Sequence, residues 1–215
     1  MGNKKKTQSD KVSVHRATSE SEISVTLDHA PRGDIKGGIQ TPLHFFNHML
    51  ETLAWRACMN LKVNVKLSDY KLTHVLCEDT GIAVGEAFCE ILEKIFQEGV
   101  NGAGVGIACI DEALARCVAS FEGRAQIHLS AEAAVAVEHV EDMQTADLVG
   151  FLEGFTQGAR ATLHIDLLKG SNPHHVWEGI FRAFGEALRI ALAPCPWRAG
   201  TTPGVKGQVK LVKES

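Results

Sequence analysis

The chain has 215 residues, of which 45% are hydrophobic and 22% charged, values that are typical of a globular protein with a sizeable core. Its net charge of −4 at pH 7 argues against nucleic-acid binding, which favours basic proteins. The sequence contains no apolar run of the roughly 18 residues that a membrane-spanning helix requires, so no membrane association is expected.

The N-terminal segment and the cysteines indicate the cellular compartment of the protein. Residues 1–13 are basic and polar and lack the apolar stretch of a secretory signal, so a flexible tail is expected there. The six cysteines are scattered and include no Cys-x-x-Cys pair, which fits a reducing environment better than a disulfide framework. These features predict a cytoplasmic protein and leave an organelle open.

Alternating apolar and polar residues, with proline and glycine at the breaks, predict a fold of the α+β class. In the first half the predicted strands are 22–28 and 61–67, and the predicted helices are 41–55 and 74–96. In the second half the predicted strands are 106–110, 115–121, 125–131, 162–168 and 208–212, and the predicted helices are 145–160 and 173–193. Four glycines between 99 and 106 predict a flexible connection, so that the halves span residues 14–100 and 101–215.

Two segments repeat the same residues about 100 positions apart, which indicates an internal duplication. His74, Glu78 and Gly85-Glu-Ala in the first segment correspond to His174, Glu178 and Gly185-Glu-Ala in the second. Pro173 suits the first turn of a helix, so a histidine and the glutamate four residues later would project from the same face. Each half is therefore expected to present an imidazole and a carboxylate at the start of its last helix.

The duplicated residues are of the types that bind transition metals. Imidazole and carboxylate without thiolate suit manganese, iron or zinc better than calcium or magnesium. A lone histidine is more often a core or surface residue, but two such pairs brought together would be costly to bury without a cation between them. The candidate ligands are His48, His74, Glu78, His164, His174, His175 and Glu178.

Six short segments between about residues 16 and 206 carry a resemblance to a known family. They are Phe45-Phe-Asn-His-Met-Leu50, His74-x-x-x-Glu-Asp-Thr-Gly-Ile-Ala-Val-Gly-Glu-Ala87, Asp111-Glu-Ala-Leu114, Gly123-Arg124, Thr162-Leu-His-Ile165 and His174-His-x-x-Glu178. In order and spacing the sequence resembles the imidazoleglycerol-phosphate dehydratase family. The resemblance implies an internally duplicated α+β fold, two mixed β-sheets enclosing a layer of helices, with halves like domain 2 of ribosomal protein S5. It also implies homo-oligomeric trimers that build a large shell.

The resemblance further implies two Mn²⁺ ions per site and elimination of water from a phosphorylated imidazole substrate in histidine biosynthesis. By the same resemblance, the first ion would be bound by His74, Glu78, His164 and His175. The second would be bound by His48, His174, Glu178 and the residue after His74, which here is Val75, so one imidazole is missing. Glu20 and Glu178 are implied as catalytic groups, and Arg124, Arg182 and Lys206 as groups that bind the substrate phosphate.

Other positions also depart from the family pattern. Asn47 stands in place of an aspartate, Gly102 in place of a phosphate-binding arginine, and Gly204 in place of a serine. Two hypotheses follow. The chain is a dehydratase whose second ion has three protein ligands, which is sufficient for a catalytic metal. Alternatively, it is a catalytically impaired member that acts as a metal-stabilised scaffold or interaction subunit.

Overall fold

The computed structural model describes residues 11–68, 72–205 and 207. The strands are β1 (Val12–Ala17), β2 (Ser21–Asp28), β3 (Ile39–Gln40), β4 (Asn60–Leu67), β5 (Ala103–Ile110), β6 (Ala113–Ser120), β7 (Gln126–Ser130), β8 (His139–Val140), β9 (Met143–Gln144) and β10 (Thr162–Lys169). The helices are α1 (His44–Ala57), α2 (Thr73–Ile95), α3 (Glu132–Val135), α4 (Thr145–Ala159) and α5 (Pro173–Ala191). In this part of the chain, no helix is long and apolar enough to cross a bilayer.

The two large sheets repeat one topology, which confirms the predicted duplication. The first has the strand order β1-β2-β4-β3 and the second β5-β6-β10-β7. In the first sheet β4 runs antiparallel to β2 and parallel to β3. In the second sheet β10 runs antiparallel to β6 and parallel to β7 in the same way. The fold is therefore the predicted α+β class with two mixed sheets.

The helices join the two halves into one core. Helix α2 packs on β1 and β2 of its own half and crosses α4 of the other half, while α5 packs on β5 and β6 and crosses α1. Aromatic rings connect these layers: Phe46 of α1 lies 5.3 Å from Phe151 of α4, which stacks at 5.6 Å on Phe181 of α5. All three rings are fully buried, so the two halves share one hydrophobic core.

Glycines allow the α2 and α4 backbones to touch. A Cβ atom added at Gly81 would lie 2.2 Å from the Phe151 carbonyl oxygen, and one at Gly154 would lie 2.2 Å from the Glu78 carbonyl oxygen. Any side chain at these positions would push the helices apart. This contact places the first turn of α2, with its histidine, beside the first turn of α4.

Three predicted boundaries differ from the structure or lie outside it. Strand β1 begins at Val12, inside the segment 1–13 that was predicted as a tail, and residues 1–10 lie outside the described part. The predicted flexible connection is partly wrong, because Gly104 and Gly106 belong to β5. A Cβ at either glycine would lie within 2.0 Å of an α5 carbonyl oxygen, so these glycines serve close helix packing. The predicted last strand lies outside the described residues.

Candidate metal site

Three predicted ligands meet at one point between α1 and α5. The Nε2 atom of His48 lies 3.1 Å from Oε2 of Glu178, and the Nε2 atom of His174 lies 3.4 Å from the same oxygen. One ligand atom from each residue lies within 4.8 Å of the other two. Among the described residues this is the one group of three or more such side chains with that spacing. We call it the His48 group.

Local sequence sets the start of α5. Pro173 occupies the first turn, as predicted, and the Asn172 side chain caps the helix by accepting hydrogen bonds from the backbone N–H groups of His174 (2.9 Å) and His175 (3.4 Å). Because the helix begins in this defined way, His174 and Glu178 project from one face, one turn apart. The sequence therefore determines two of the three members of the group.

The third member is placed by a contact between the two halves. The carboxylate of Asp142, at the tip of the β8–β9 hairpin, accepts hydrogen bonds from the first backbone N–H groups of α1, those of His44 (2.6 Å) and Phe45 (2.9 Å). This contact fixes α1 against the second half. The Phe45 ring then packs 5.0 Å from the His174 ring, and His48 follows one turn later.

The Glu178 carboxylate is buried and charged. Only 6% of the residue is exposed, and Arg182 donates hydrogen bonds from Nε (3.0 Å) and Nη2 (2.6 Å) to its Oε1 atom. Burial alone would raise the pKa of Glu178, but hydrogen bonds from His48 and Arg182 outweigh it and hold the pKa below its ordinary value. The group therefore keeps an ionised carboxylate whose Oε1 is bound by Arg182 and whose Oε2 faces the two imidazoles.

The donor set fits a divalent transition metal. Two imidazole nitrogens and one carboxylate oxygen suit manganese, iron or zinc, and three protein ligands leave positions for a substrate. A cavity of about 560 Å³ opens on one side of the group and is lined by His48, Glu178, Arg182, Trp55 and Lys36 among others. A second cavity of about 460 Å³ is lined by His48, His174 and Glu141 among others.

The four ligands predicted for the first ion do not form a comparable cluster in a single chain. His74 and Glu78 form a pair at the start of α2, with 3.5 Å between Nε2 and Oε2. His175 lies at the start of α5 and contacts Glu112 at 2.8 Å. His164 lies on the exposed face of β10, where it stacks on His128 of β7 with 4.3 Å between ring centres. A single chain therefore presents these ligands in separate places.

Comparison with known proteins identifies the family. The family model for imidazoleglycerol-phosphate dehydratase matches residues 41–188. The chain belongs to this family. It is 39% identical to the imidazoleglycerol-phosphate dehydratase of Methylococcus capsulatus over 90% of this chain and 95% of the relative. It is 38% identical to that of Thioalkalivibrio sulfidiphilus over 91% of this chain and 96% of the relative.

Solved structures of imidazoleglycerol-phosphate dehydratases have the same fold. The structure from Pyrococcus furiosus aligns with a TM-score of 0.75 at 28% identity and covers 91% of this chain and 100% of that protein. The structure from Staphylococcus aureus aligns with a TM-score of 0.69 at 28% identity and covers 86% of this chain and 99% of that protein. The imidazoleglycerol-phosphate dehydratase fold therefore extends over nearly the whole chain.

The positions that depart from the imidazoleglycerol-phosphate dehydratase pattern have defined surroundings. Val75 is half-buried in the first turn of α2, next to His74. The Asn47 side chain is tied to Thr41, from which it accepts two hydrogen bonds at 2.8 and 3.0 Å, so it closes the loop before α1. Gly102 has a φ of +67°, and a Cβ there would lie 2.3 Å from Pro203, so the backbone has no room for an arginine.

Of the other predicted site residues that the structure describes, Arg182 contacts the His48 group, whereas Glu20 and Arg124 have no contact with it. Glu20 is exposed in the turn between β1 and β2. Arg124 is exposed after β6 and pairs with Glu122 at 3.1 Å. Arg182, which the resemblance implies as a phosphate-binding group, donates two hydrogen bonds to Glu178 and a third, of 3.0 Å, to the Cys109 carbonyl. Lys206 lies outside the described residues.

Sequence reasoning missed the carboxylates that face the ligand imidazoles. Glu141 lies 2.9 Å from Nδ1 of His174, and Asp147 lies 3.9 Å from Nδ1 of His74. Glu112 accepts hydrogen bonds from Asn172 N–H and His175, which lower its pKa to about 2. The Glu112 carboxylate in turn raises the pKa of His175. Glu112 stands in a motif quoted above, which could have drawn attention to it. Asp147 is a carboxylate within the otherwise apolar pattern of α4, and this exception to the pattern could have revealed a buried polar group.

Proposed function

We propose that this chain dehydrates imidazoleglycerol phosphate to imidazoleacetol phosphate, a step of histidine biosynthesis, with Mn²⁺ as the cofactor. The observation that carries the proposal is the His48 group, in which three of the four ligands of the family's second ion meet within one chain. The relatives named as imidazoleglycerol-phosphate dehydratases support the substrate, because they align over nine-tenths of the chain.

The chain's own groups account for the binding and the proton transfer. Glu178 would hold the ion through Oε2 while Arg182 keeps its other oxygen fixed and ionised. When bound, the metal would polarise the imidazole of the substrate and favour its deprotonated form, which promotes departure of hydroxide from the neighbouring carbon. Glu20 is exposed and would act as the carboxylate that carries protons to and from the substrate.

The proposed first ion requires a second copy of the chain. His74 and Glu78 form a pair at the start of α2, whereas His164 on β10 and His175 on α5 have other neighbours in a single chain. A homo-oligomer that brings these ligands together from different copies would complete the set. The outer face of the second sheet supports such association, because Val105 and Ile107 there are 48% and 60% exposed.

A second candidate function is a catalytically impaired, metal-stabilised scaffold. The observation in its favour is Gly102, whose positive φ and contact with Pro203 leave no space for the arginine of the family pattern. Val75 removes one ligand of the second ion as well. On this alternative, the three remaining ligands would stabilise the fold and the assembly, while the phosphate would be bound too weakly for turnover.

Three measurements on the wild-type chain and two variants test both candidates. Metal content, oligomeric mass and conversion of imidazoleglycerol phosphate are measured on the wild-type chain and on Glu178→Gln. The control is Glu186→Gln, which changes a glutamate two turns further along α5 that also pairs with an arginine, Arg56, at 3.5 Å. If the chain is a dehydratase, the wild type should convert the substrate, Glu178→Gln should abolish this activity and Glu186→Gln should preserve it. Bound manganese without product formation would instead favour the scaffold.

A further inference from the structure

Three of the predicted ligand imidazoles share one arrangement of their ring nitrogens. In each, Nδ1 faces a carboxylate from a different structural element, and Nε2 faces a second carboxylate. The Nδ1 distances are 2.9 Å from His174 to Glu141, 2.8 Å from His175 to Glu112 and 3.9 Å from His74 to Asp147. The Nε2 distances are 3.4 Å from His174 to Glu178, 3.5 Å from His175 to Asp111 and 3.5 Å from His74 to Glu78.

The Glu141 backbone is held in an unfavourable conformation. Glu141 has a φ of +51°, in the left-handed region that glycine occupies more readily than any residue with a side chain. It lies at the tip of the β8–β9 hairpin, next to Asp142, which caps α1. Glycine would fit this backbone better, but only a residue with a carboxylate can make the 2.9 Å contact that Glu141 makes with His174.

Asp147 is a buried carboxylate with an unsatisfied oxygen. Only 3% of the residue is exposed, and its Oδ2 atom has no hydrogen-bond partner among the described residues. Its Oδ1 atom faces His74 at 3.9 Å, which is longer than a hydrogen bond. The His74 ring fits over Gly150, where a Cβ would lie 3.1 Å from its Cε1 atom. A buried carboxylate is costly unless it is paired, and His74 is the imidazole that it faces.

We propose that Glu141 and Glu112 are positioning residues that fix the tautomers of His174 and His175, the imidazoles that they hydrogen-bond. Asp147 faces His74 in a similar way, but at 3.9 Å it makes no hydrogen bond to the ring. A neutral imidazole carries one N–H, and an ionised carboxylate only accepts hydrogen bonds. Glu141 and Glu112 therefore hold the hydrogen on Nδ1 and leave the Nε2 lone pair for a divalent cation. The cation-binding part of this inference depends on the proposed function, whereas the tautomers do not.

The distances rank the three pairs. His174 and His175 are within hydrogen-bond length of their carboxylates, so both are set in the metal-free chain. His74 lies 3.9 Å from Asp147 at Nδ1 and 3.5 Å from Glu78 at Nε2, so neither carboxylate fixes its tautomer in the metal-free chain. The structure thus distinguishes two preset ligands on α5 from a looser one on α2, although the sequence repeat makes His74 and His174 look equivalent.

The tautomers are measured directly by ¹⁵N NMR of the histidine rings in the full-length, metal-free protein. At a pH where the imidazoles are neutral, the expected result is that His174 and His175 carry hydrogen on Nδ1. His29, an exposed histidine without an ion pair or hydrogen bond among the described residues, serves as the internal reference and is expected to show the mixture found in free imidazole. Wild-type rings of His174 and His175 with hydrogen on Nε2 would overturn the inference.

Glu141→Gly separates a positioning role from a structural one. Glycine relieves the positive φ, so the folded chain should become more stable, with a higher Tm. At the same time His174 should lose its fixed tautomer, and affinity for Mn²⁺ alone should fall roughly tenfold to hundredfold in calorimetric titration. The matched control is Cys58→Gly, which relieves a φ of +56° at the end of α1 and should raise Tm without changing the His174 signal or the affinity.

The outcomes separate this inference from the proposed dehydratase activity. An unchanged His174 tautomer in Glu141→Gly would overturn the inference, and so would unchanged Mn²⁺ affinity. The predicted tautomer shift together with weakened Mn²⁺ binding supports the positioning role even if the wild-type chain produces no imidazoleacetol phosphate. In that case only the proposed activity is contradicted, because neither the tautomer nor the Mn²⁺ affinity measurement requires turnover.

Discussion

Arg182 binds one oxygen of the Glu178 carboxylate and leaves the other to face two imidazoles. Its Nε and Nη2 atoms donate to Oε1 at 3.0 and 2.6 Å, whereas Oε2 lies 3.1 Å from His48. The arginine and a metal ion would therefore share this carboxylate without competing for the same oxygen. This division explains how a buried glutamate stays ionised both before and after a cation binds.

Arg182→Met should destabilise the metal-free chain, because it leaves the Glu178 carboxylate buried with less compensation. We expect a loss of about 2 kcal/mol, as for other hydrogen bonds to charged groups, measured by urea unfolding. The control is Arg189→Met, which breaks an exposed pair with Glu186 on the same helix and should cost less than about 1 kcal/mol. Equal losses for the two variants would contradict this account of Glu178.

The glycine contact between α2 and α4 should be intolerant of a single methyl group. In Gly81→Ala the added Cβ would lie 2.2 Å from the Phe151 carbonyl oxygen, and we expect a loss of at least about 2 kcal/mol in chemical unfolding. The control Gly179→Ala, in α5, places its Cβ 3.8 Å from Ala113 and should be neutral or gain about 0.5 kcal/mol from helix propensity. A stable Gly81→Ala chain would show that the helices are not in backbone contact.

The Glu112–His175 pair predicts a defined pH dependence. Hydrogen bonds from Asn172 and His175 lower the pKa of Glu112 from 4.5 to about 2, so its contribution to stability is complete above about pH 4.5 and is lost toward pH 2. The raised pKa of His175 makes its contribution complete below its ordinary value of 6.5 and lost as pH rises through the raised value. The pair should therefore stabilise the metal-free chain most between about pH 4.5 and 6.5.

Glu112→Gln tests this window. The difference in denaturation midpoint between wild type and variant should be larger at pH 5.5 than at pH 9, since the contribution of the pair is lost as pH rises through the raised pKa of His175. Glu132→Gln, which changes an exposed glutamate in α3, serves as the control and should give a small difference at both pH values. If the difference in midpoint between wild type and Glu112→Gln instead increases with pH, the pair does not stabilise the chain as an ion pair.

Local sequence was sufficient to predict the parts of the site that depend on neighbours along the chain. Pro173 opened α5 as predicted, and the four-residue spacing brought His174 and Glu178 to one face. The duplication predicted the equivalence of the two sheets. These features follow from backbone geometry over one or two helical turns, which the residue types determine.

The remaining parts depend on contacts between distant segments. The contact of Glu141 with His174 joins residues 33 positions apart, and the cap of Asp142 on α1 joins residues 97 and 98 positions apart. Neither has a periodic signal. Gly104 was predicted to be flexible because glycine permits both a loose connection and a close approach, and only the position of α5 decides between them. The sequence alone likewise could not predict that the first ion's ligands lie in separate places in a single chain.

Val75→His tests whether the second ion lacks one ligand. If α2 of one copy meets the His48 group of another, the new imidazole should raise bound Mn²⁺ toward two ions per chain, measured by elemental analysis of the assembled protein. If the chain is the catalytically impaired member, activity should recover only in part, because Gly102 still leaves no arginine for the phosphate. Leu72→His is the control, since it adds an exposed histidine just before α2 and should leave the metal content unchanged. If Val75→His changes neither metal content nor rate, then α2 does not contribute to the second ion, and the His48 group must bind its cation with three protein ligands alone.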